Sequence, residues 1–364
     1  MRITQKTIAR DLGISLVTVN RALNNSGYVS KQLKERISAY VQERSYVPHR
    51  ASQVLVRNTI RTLAVFSSTT PGYFWDDIKR GVLNAAKYVA PFNYEVHYHR
   101  IPDYDTKKFI RLLKQEIEGG LSAAAFVSVW FYDMAAILGM VEKAGIPYVF
   151  YNVDAPETKR ICYIGADYSS GGRLAANFIG KSLSMFSGGR ILCIAVSADS
   201  KRYTNEPDIN AARLRGFREA MEEMYPGIKI HLEFVNINAR ISREKQIRVF
   251  LEKYEHKVNA VYFIPAYNSQ FLGQLIQFNY RNSITVLHDI DDMTLSCLKN
   301  NFLTASVYQD PVLQGFVAIR TLERILETKE LIKDIEIPHT LIFKENVDFL
   351  KNHYSLVLAE SDGI

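Results

Sequence analysis

From Thr62 onward the chain alternates short apolar runs with amphipathic ones, and this alternation narrows the fold more than any other feature. Thr62–Ser68, Tyr94–Arg100, Ala123–Val129 and Pro147–Asn152 read as strands. Between them, Asp76–Val89, Asp105–Ile117 and Met134–Ala144 carry apolar residues at helical spacing. Strand and helix in rotation imply a parallel sheet with helices on both faces. The rhythm then restarts. Ser169–Leu183 reads as a helix, Arg190–Val196 as a strand and Ala211–Met224 as a helix. Strands follow at Ile228–Val235, Ala260–Ile264 and Ile284–His288, with helices at Arg243–Tyr254 and Ser269–Tyr280 between them. Two such rounds predict two α/β lobes with a cleft between.

Ligands of open parallel sheets sit beyond the carboxyl ends of the strands. That rule selects the candidates. Phe74 and Trp75 follow the first strand and could stack on a sugar ring, or could staple the next helix. Trp130 follows the strand ending at Val129 and could serve the ligand or the core. Arg213 opens a helix, where a cation opposes the dipole and calls for an anionic or hydroxyl partner. Asp289 ends the Ile284–His288 strand; its carboxylate could accept from two adjacent hydroxyls, or could cap a helix. Gln309 ends the run Thr304–Tyr308, as a ligand contact or as a solvated turn residue.

The first 61 residues have a different pattern. Thr4 can cap a helix whose Ile8, Ala9 and Leu12 form an apolar stripe, and Gly13 sits where the helix should end. Ser15 can cap a second helix, about Leu16–Leu23, with Val19 and Leu23 inward. Ser30 can cap a third, Lys31–Arg44, with Leu33, Ile37 and Val41 inward. Helix, glycine turn, helix is the helix-turn-helix pattern, whose second helix enters the DNA major groove. Leu16, Val17, Thr18, Asn20 and Arg21 would project from it. Arg can grip a guanine edge and Asn an adenine edge with two hydrogen bonds. Charge agrees. Residues 1–61 hold 11 Lys+Arg and 3 Asp+Glu, a net of +8, whereas the whole chain holds 45 and 38, a net of +7, so the remainder carries −1. The positive excess lies where phosphate binding needs it.

Ile8-Ala-Arg-Asp-Leu-Gly-Ile-Ser15, Thr18-Val-Asn-Arg-Ala-Leu-Asn24, Val29-Ser30 and Tyr46-Val-Pro48 together resemble the lac-repressor (LacI/GalR) family. The resemblance implies an N-terminal helix-turn-helix domain followed by a two-lobed periplasmic-binding-protein type I fold, its parallel sheets flanked by helices. It implies domains at 1–61, with a hinge helix near 49–57, and at 62–364. Lobe 1 would span about 62–163 and 311–338, and lobe 2 about 164–310 and 339–364. In this family the hinge forms on DNA and a leucine wedges into the minor groove; Leu55 matches it. Thr4, Asn24, Tyr46, His49 and Ser52 join the implied DNA-contact set. Asn20 stands where the family usually has Ser, and His49 where it has Asn.

The same resemblance places Arg213, Asp289 and Gln309 against an effector, in the segments Ala211–Phe217, His288–Ile290 and Ser306–Pro311. The family's Asn-Asp after the Ala260–Ile264 strand is replaced by Ala266-Tyr267-Asn268, suggesting an aromatic wall with Tyr267 and Asn268 as contacts. The implied partners are double-stranded operator DNA, a small-molecule effector, above all a sugar, and a second copy of the chain. A purine or a sugar phosphate remains an alternative effector, and a solute-binding protein an alternative role.

Composition excludes several other classes. No apolar run reaches the roughly 18 residues of a membrane span, and Met1-Arg-Ile-Thr-Gln-Lys6 is polar from the start. Cys162, Cys193 and Cys297 are an odd number in apolar surroundings, which fits reduced thiols and a cytoplasmic setting. There is no phosphate-binding glycine loop, no Gly-x-Ser-x-Gly and no Cys-x-x-Cys. His97 and His99 share one strand face, a spacing metals can use, and are read as structural. No enzyme activity, cofactor or metal is expected.

Overall fold

A computed structural model describes residues 4–23, 28–44, 59–128, 132–184, 188–197, 209–236, 239–266, 268–278, 280–328 and 331–348. The amino-terminal unit holds α1 (Gln5–Leu12), α2 (Leu16–Leu23) and α3 (Lys31–Glu43). Thr4 caps α1 by accepting from the Thr7 amide at 3.2 Å. Gly13 ends it with φ +64°, the left-handed geometry that lets its own amide return to the carbonyls of Ala9 and Arg10. Ser15 caps α2 through the Thr18 amide at 3.0 Å, and Ser30 caps α3 through that of Leu33 at 3.4 Å. Ile8, Ala9 and Val19 make a small core, closed by Leu12, Leu23, Tyr40 and Val41. The Tyr40 hydroxyl donates to Asp11 at 2.5 Å, tying α3 to α1.

The body begins with β1 (Arg61–Ser67), α4 (Gly72–Val89), β2 (Tyr94–Arg100), α5 (Thr106–Glu118), β3 (Leu121–Phe126), α6 (Met134–Lys143), β4 (Tyr148–Tyr151) and β5 (Tyr163–Gly165). A second run follows: α7 (Tyr168–Leu183), β6 (Arg190–Ser197), α8 (Ile209–Met224), β7 (Lys229–Asn236), α9 (Arg243–Tyr254), β8 (Ala260–Phe263), α10 (Asn268–Gln277), β9 (Ile284–His288), α11 (Asp292–Lys299) and β10 (Ala305–Tyr308). The chain closes with α12 (Pro311–Glu327), β11 (Ile335–Glu336) and β12 (Thr340–Ile342).

These strands form two sheets, ordered β11-β5-β4-β3-β1-β2 and β12-β10-β9-β8-β6-β7. The expected alternation gives the expected parallel pairing; β12 lies antiparallel on β10. The chain crosses between the two sheets after β5, after β10 and between β11 and β12. The two-residue β11 and three-residue β5 are too short to leave a periodic signal, and neither was read from the sequence.

Each lobe buries an apolar layer. Phe66, Phe109, Phe126 and Phe150 fill the first. In the second, Cys193, Phe217 and Tyr262 pack under one sheet face, and Leu192, Phe263 and Phe271 under the other. The three cysteines are free and buried.

Reciprocal glycines fuse a helix pair in each lobe. A Cβ on Gly172 of α7 would stand 2.0 Å from the Arg213 carbonyl oxygen, and one on Gly216 of α8 2.0 Å from that of Ser169. In the other lobe, Gly81 of α4 and Gly315 of α12 meet the Val312 and Ile78 carbonyls in the same way. Side chains there would hold the backbones apart, so these helices touch main chain to main chain.

One sequence expectation needs correction. Helix α4 starts at Gly72, not Asp76. The turn between β1 and α4 is therefore shorter than expected, and Phe74 and Trp75 lie inside the helix.

Candidate functional site

In the amino-terminal unit, burial of Val19 and Ala22 orients α2, leaving Leu16, Val17 and Arg21 exposed and Thr18 and Asn20 half-buried. Thr4 is also exposed. An exposed helix face with apolar residues in its first turn and Arg in its last can enter a DNA groove. Asn24, Tyr46, His49, Ser52 and Leu55 lie outside the described residues, as does the expected hinge helix.

In the body, the strand ends of the two sheets meet around Asp289. Its backbone amide donates to Val307 at 3.0 Å, and its carbonyl accepts from the Ser306 hydroxyl at 2.5 Å. Held this way, Asp289 adopts φ +65°. Asn152 and Asp310, at neighbouring strand ends, also have positive φ, at +60° and +50°. Left-handed backbone at non-glycine residues costs energy and collects at binding sites.

Asp289 Oδ1 accepts from Gln309 Nε2 at 2.9 Å. Its Oδ2 lies 3.5 Å from Arg213 Nη2, a loose ion pair between side chains only 3% and 8% exposed. Arg213 stands in the second turn of α8, not at its opening as expected. Its Nη1 donates to the Ile264 carbonyl at 3.4 Å, and its guanidinium lies 5.6 Å from the centre of the Tyr168 ring. The Nε of Arg213 is buried with no hydrogen-bond partner among the described residues. Burial pushes the Asp289 carboxyl up, while the Arg213 charge and the Gln309 amide pull against it.

Asn152, after β4 of the first sheet, donates to Gln314 at 3.2 Å and to Gln309 at 3.4 Å. This amide cluster joins the two lobes beside the charged pair. Asn268 donates to the His288 carbonyl at 2.8 Å, and its buried Oδ1 has no partner among the described residues. Burial, then Arg213, hold the His288 imidazole well below its ordinary range. Its Nε2 shares a hydrogen bond of 2.7 Å with the Tyr262 hydroxyl.

The structure thus brings together Arg213, Asp289, Gln309 and Asn268 from the sequence-derived set. Trp130 and Tyr267 lie outside the described residues. Phe74 and Trp75 offer no open ring face. Both are buried, Trp75 edge-on to Tyr151 at 6.3 Å, with its indole N–H on the Thr70 carbonyl at 2.9 Å. Besides Tyr168, Tyr73 also turns toward the site; its buried hydroxyl has no partner among the described residues and feels Asp289 and Asp291. Asn152 and His288 also join the site, and the strand-end rule could have selected both. Tyr73, Tyr168 and Gln314 lie on helices and gave no such signal.

A cavity of about 600 Å³ opens beside this cluster, lined by Tyr73, Asp76, Asp77, Arg80, Asp291 and Asp292 among others. It does not include Arg213, Asp289 or Gln309. The buried cluster is the better candidate site, because donors, an acceptor and unsatisfied polar atoms converge there.

Comparisons with known proteins identify the two parts of the chain. Residues 4–49 match the family of bacterial regulatory proteins of the lacI type, and residues 63–330 match the periplasmic binding protein domain. The chain is 24% identical to the HTH-type transcriptional regulator DegA of Bacillus subtilis, over 67% of each chain. It is 25% identical to the ribose operon repressor of Halalkalibacterium halodurans, over 60% of each, which is less than two thirds of that relative's length. A sugar-binding protein of an ABC transporter from Bacillus halodurans shares the fold of the body, with a TM-score of 0.68 at 18% identity over 79% of this chain and 99% of the other. The chain belongs to the lacI family of bacterial regulatory proteins: a helix-turn-helix transcription regulator whose body is a periplasmic binding protein domain.

Proposed function

We propose that the protein is a homodimeric repressor whose hold on a near-palindromic operator is set by a neutral polyhydroxylated effector, a sugar, bound at the Arg213–Asp289 cluster. One observation carries the effector class. An acidic acceptor and a cationic donor face one site, only loosely paired at 3.5 Å, with Arg213 Nε and Asn268 Oδ1 unsatisfied among the described residues. A sugar hydroxyl both donates and accepts, so adjacent hydroxyls satisfy carboxylate and guanidinium together. A phosphate would bring its charge against Asp289, which disfavours the sugar-phosphate alternative. The ribose and sucrose operon repressors among the relatives support the same class.

Each subunit places α2 in one half-site, as a two-fold dimer requires. Effector binding shifts the body between two arrangements that differ in operator affinity. Calorimetry of the full chain against monosaccharides, oligosaccharides, sugar phosphates and nucleobases tests the effector. Tight binding confined to phosphorylated or nucleobase ligands refutes the neutral-sugar reading. Sedimentation that gives a monomer at operator-binding concentrations refutes the dimer.

A further inference from the structure

On the edge strand of the first sheet, outside the effector cluster's own residues, three metal-capable side chains converge. His97 and His99 lie two residues apart on β2, so the pleat turns both to the same face. Glu116 reaches them from α5. His97 Nδ1 lies 2.8 and 3.0 Å from the two Glu116 oxygens, and His99 Nε2 lies 2.7 Å from Oε1. The three ligand atoms all lie within 4.8 Å of one another.

We propose that His97, His99 and Glu116 form a binding site for a divalent transition-metal ion of the zinc type. Two imidazoles and one carboxylate are a ligand set these ions favour over calcium or magnesium. At bond lengths of about 2.0–2.1 Å, ligand atoms of a tetrahedral ion stand about 3.4 Å apart, so the 2.7–3.0 Å histidine–glutamate distances would open slightly and no pair, all within 4.8 Å, would need a large rearrangement. Three protein ligands leave a fourth position for water, and the His97 side chain, 35% exposed, keeps the approach open. The cluster is also held in place. His99 stacks at 5.0 Å on Phe66, itself buried, and Glu116 is only 11% exposed. Anchored ligands lose little freedom on binding.

The site joins an edge strand to the helix packed on it. The same strand bears Tyr98, whose hydroxyl donates to the Trp75 carbonyl at 3.0 Å, and Arg100, bonded to Asp76 at 2.7 Å and to the Thr69 carbonyl at 3.2 Å. A metal here would therefore stiffen the strand that pins the entry to α4.

The test uses the full chain, stripped with chelator and titrated with Zn²⁺, with Mg²⁺ as control. One Zn²⁺ per chain is expected to bind and raise the melting temperature, and Co²⁺ should give visible absorption bands of low-symmetry coordination. Losing an outer-shell partner of a metal ligand already costs about 10–100-fold in affinity, so His97→Ala should cost at least that. His97 is the more exposed histidine, and Glu116→Gln provides a second variant that preserves shape. Zinc binding unchanged in both variants, or no saturable binding by the parent chain, overturns the proposal.

Discussion

At the scale of single residues, the proposed effector site rests on the Arg213–Asp289 pair. Each leaves part of its hydrogen-bonding capacity for a ligand, so removing one should abolish effector control without touching the DNA-binding unit. Asp289→Ala is expected to cost the effector at least the about 1.5–3 kcal/mol of one charged hydrogen bond. Operator affinity without effector should be unchanged. Calorimetry and fluorescence anisotropy check the two halves, and wild-type effector affinity in the variant would remove Asp289 from the site. Asp77 supports a pH experiment. Burial raises its carboxyl to about 6, and Asp310 and Asp76 add to that against the pull of Arg80. The folded chain thus holds this proton more tightly than the unfolded chain, and stability falls as pH rises from about 4 to about 6. Asp77→Asn removes that slope. Allowing for a side chain 24% exposed and 3.1 Å from Arg80, the variant should gain about 1–2 kcal/mol relative to wild type between about pH 4 and about pH 7. Urea unfolding at both pH values measures this, and an equal difference at the two would refute it.

At the scale of elements, helix α2 and the glycine-fused pairs lead to separate expectations. Arg21→Ala should cost about 1–3 kcal/mol of operator affinity and relax choice at one base pair. An unchanged preference in a binding-site selection would exclude Arg21 from base reading. Gly172→Ala places a methyl 2.0 Å from the Arg213 carbonyl oxygen. The two helices must separate, and the variant should lose about 1–3 kcal/mol of stability and weaken effector binding through Arg213. Chemical unfolding and calorimetry check both, and a variant as stable as the parent would show that the pair tolerates separation.

What the sequence made legible follows from the same elements. Caps and stripes in residues 4–44 and the strand-helix alternation are local signals, so they could be read directly. So could Asp289 and Gln309, which sit at strand ends. Tyr73 was missed because the helix starts at Gly72, directly after Pro71, four residues before the Asp76 start read from the sequence. The Asn152 bridge to Gln309 and Gln314 joins positions more than 150 residues apart. Glu116, which completes the histidine pair, sits on another element, and only the tertiary fold shows that the three meet.

At the scale of the whole molecule, charge is divided by role: residues 1–61 carry a net +8 and the rest −1. Operator affinity should accordingly fall steeply with salt, by about 10³–10⁵ between about 50 and about 200 mM for a protein making about 6–10 phosphate contacts. A flat salt profile in anisotropy titrations would contradict the basic unit as the DNA-gripping part.

The three crossings between the sheets bear on how the protein is made. The first sheet cannot be completed in the order in which its strands leave the ribosome. Helix α12, which closes against α4 through Gly81 and Gly315, and strand β11, which borders β5, are both synthesised after the whole of the second sheet up to β10. The amino-terminal lobe must therefore wait, unfinished and with an apolar flank uncovered, while more than a hundred residues of its neighbour emerge, and a nascent chain arrested before Pro311 has no native way to cover it.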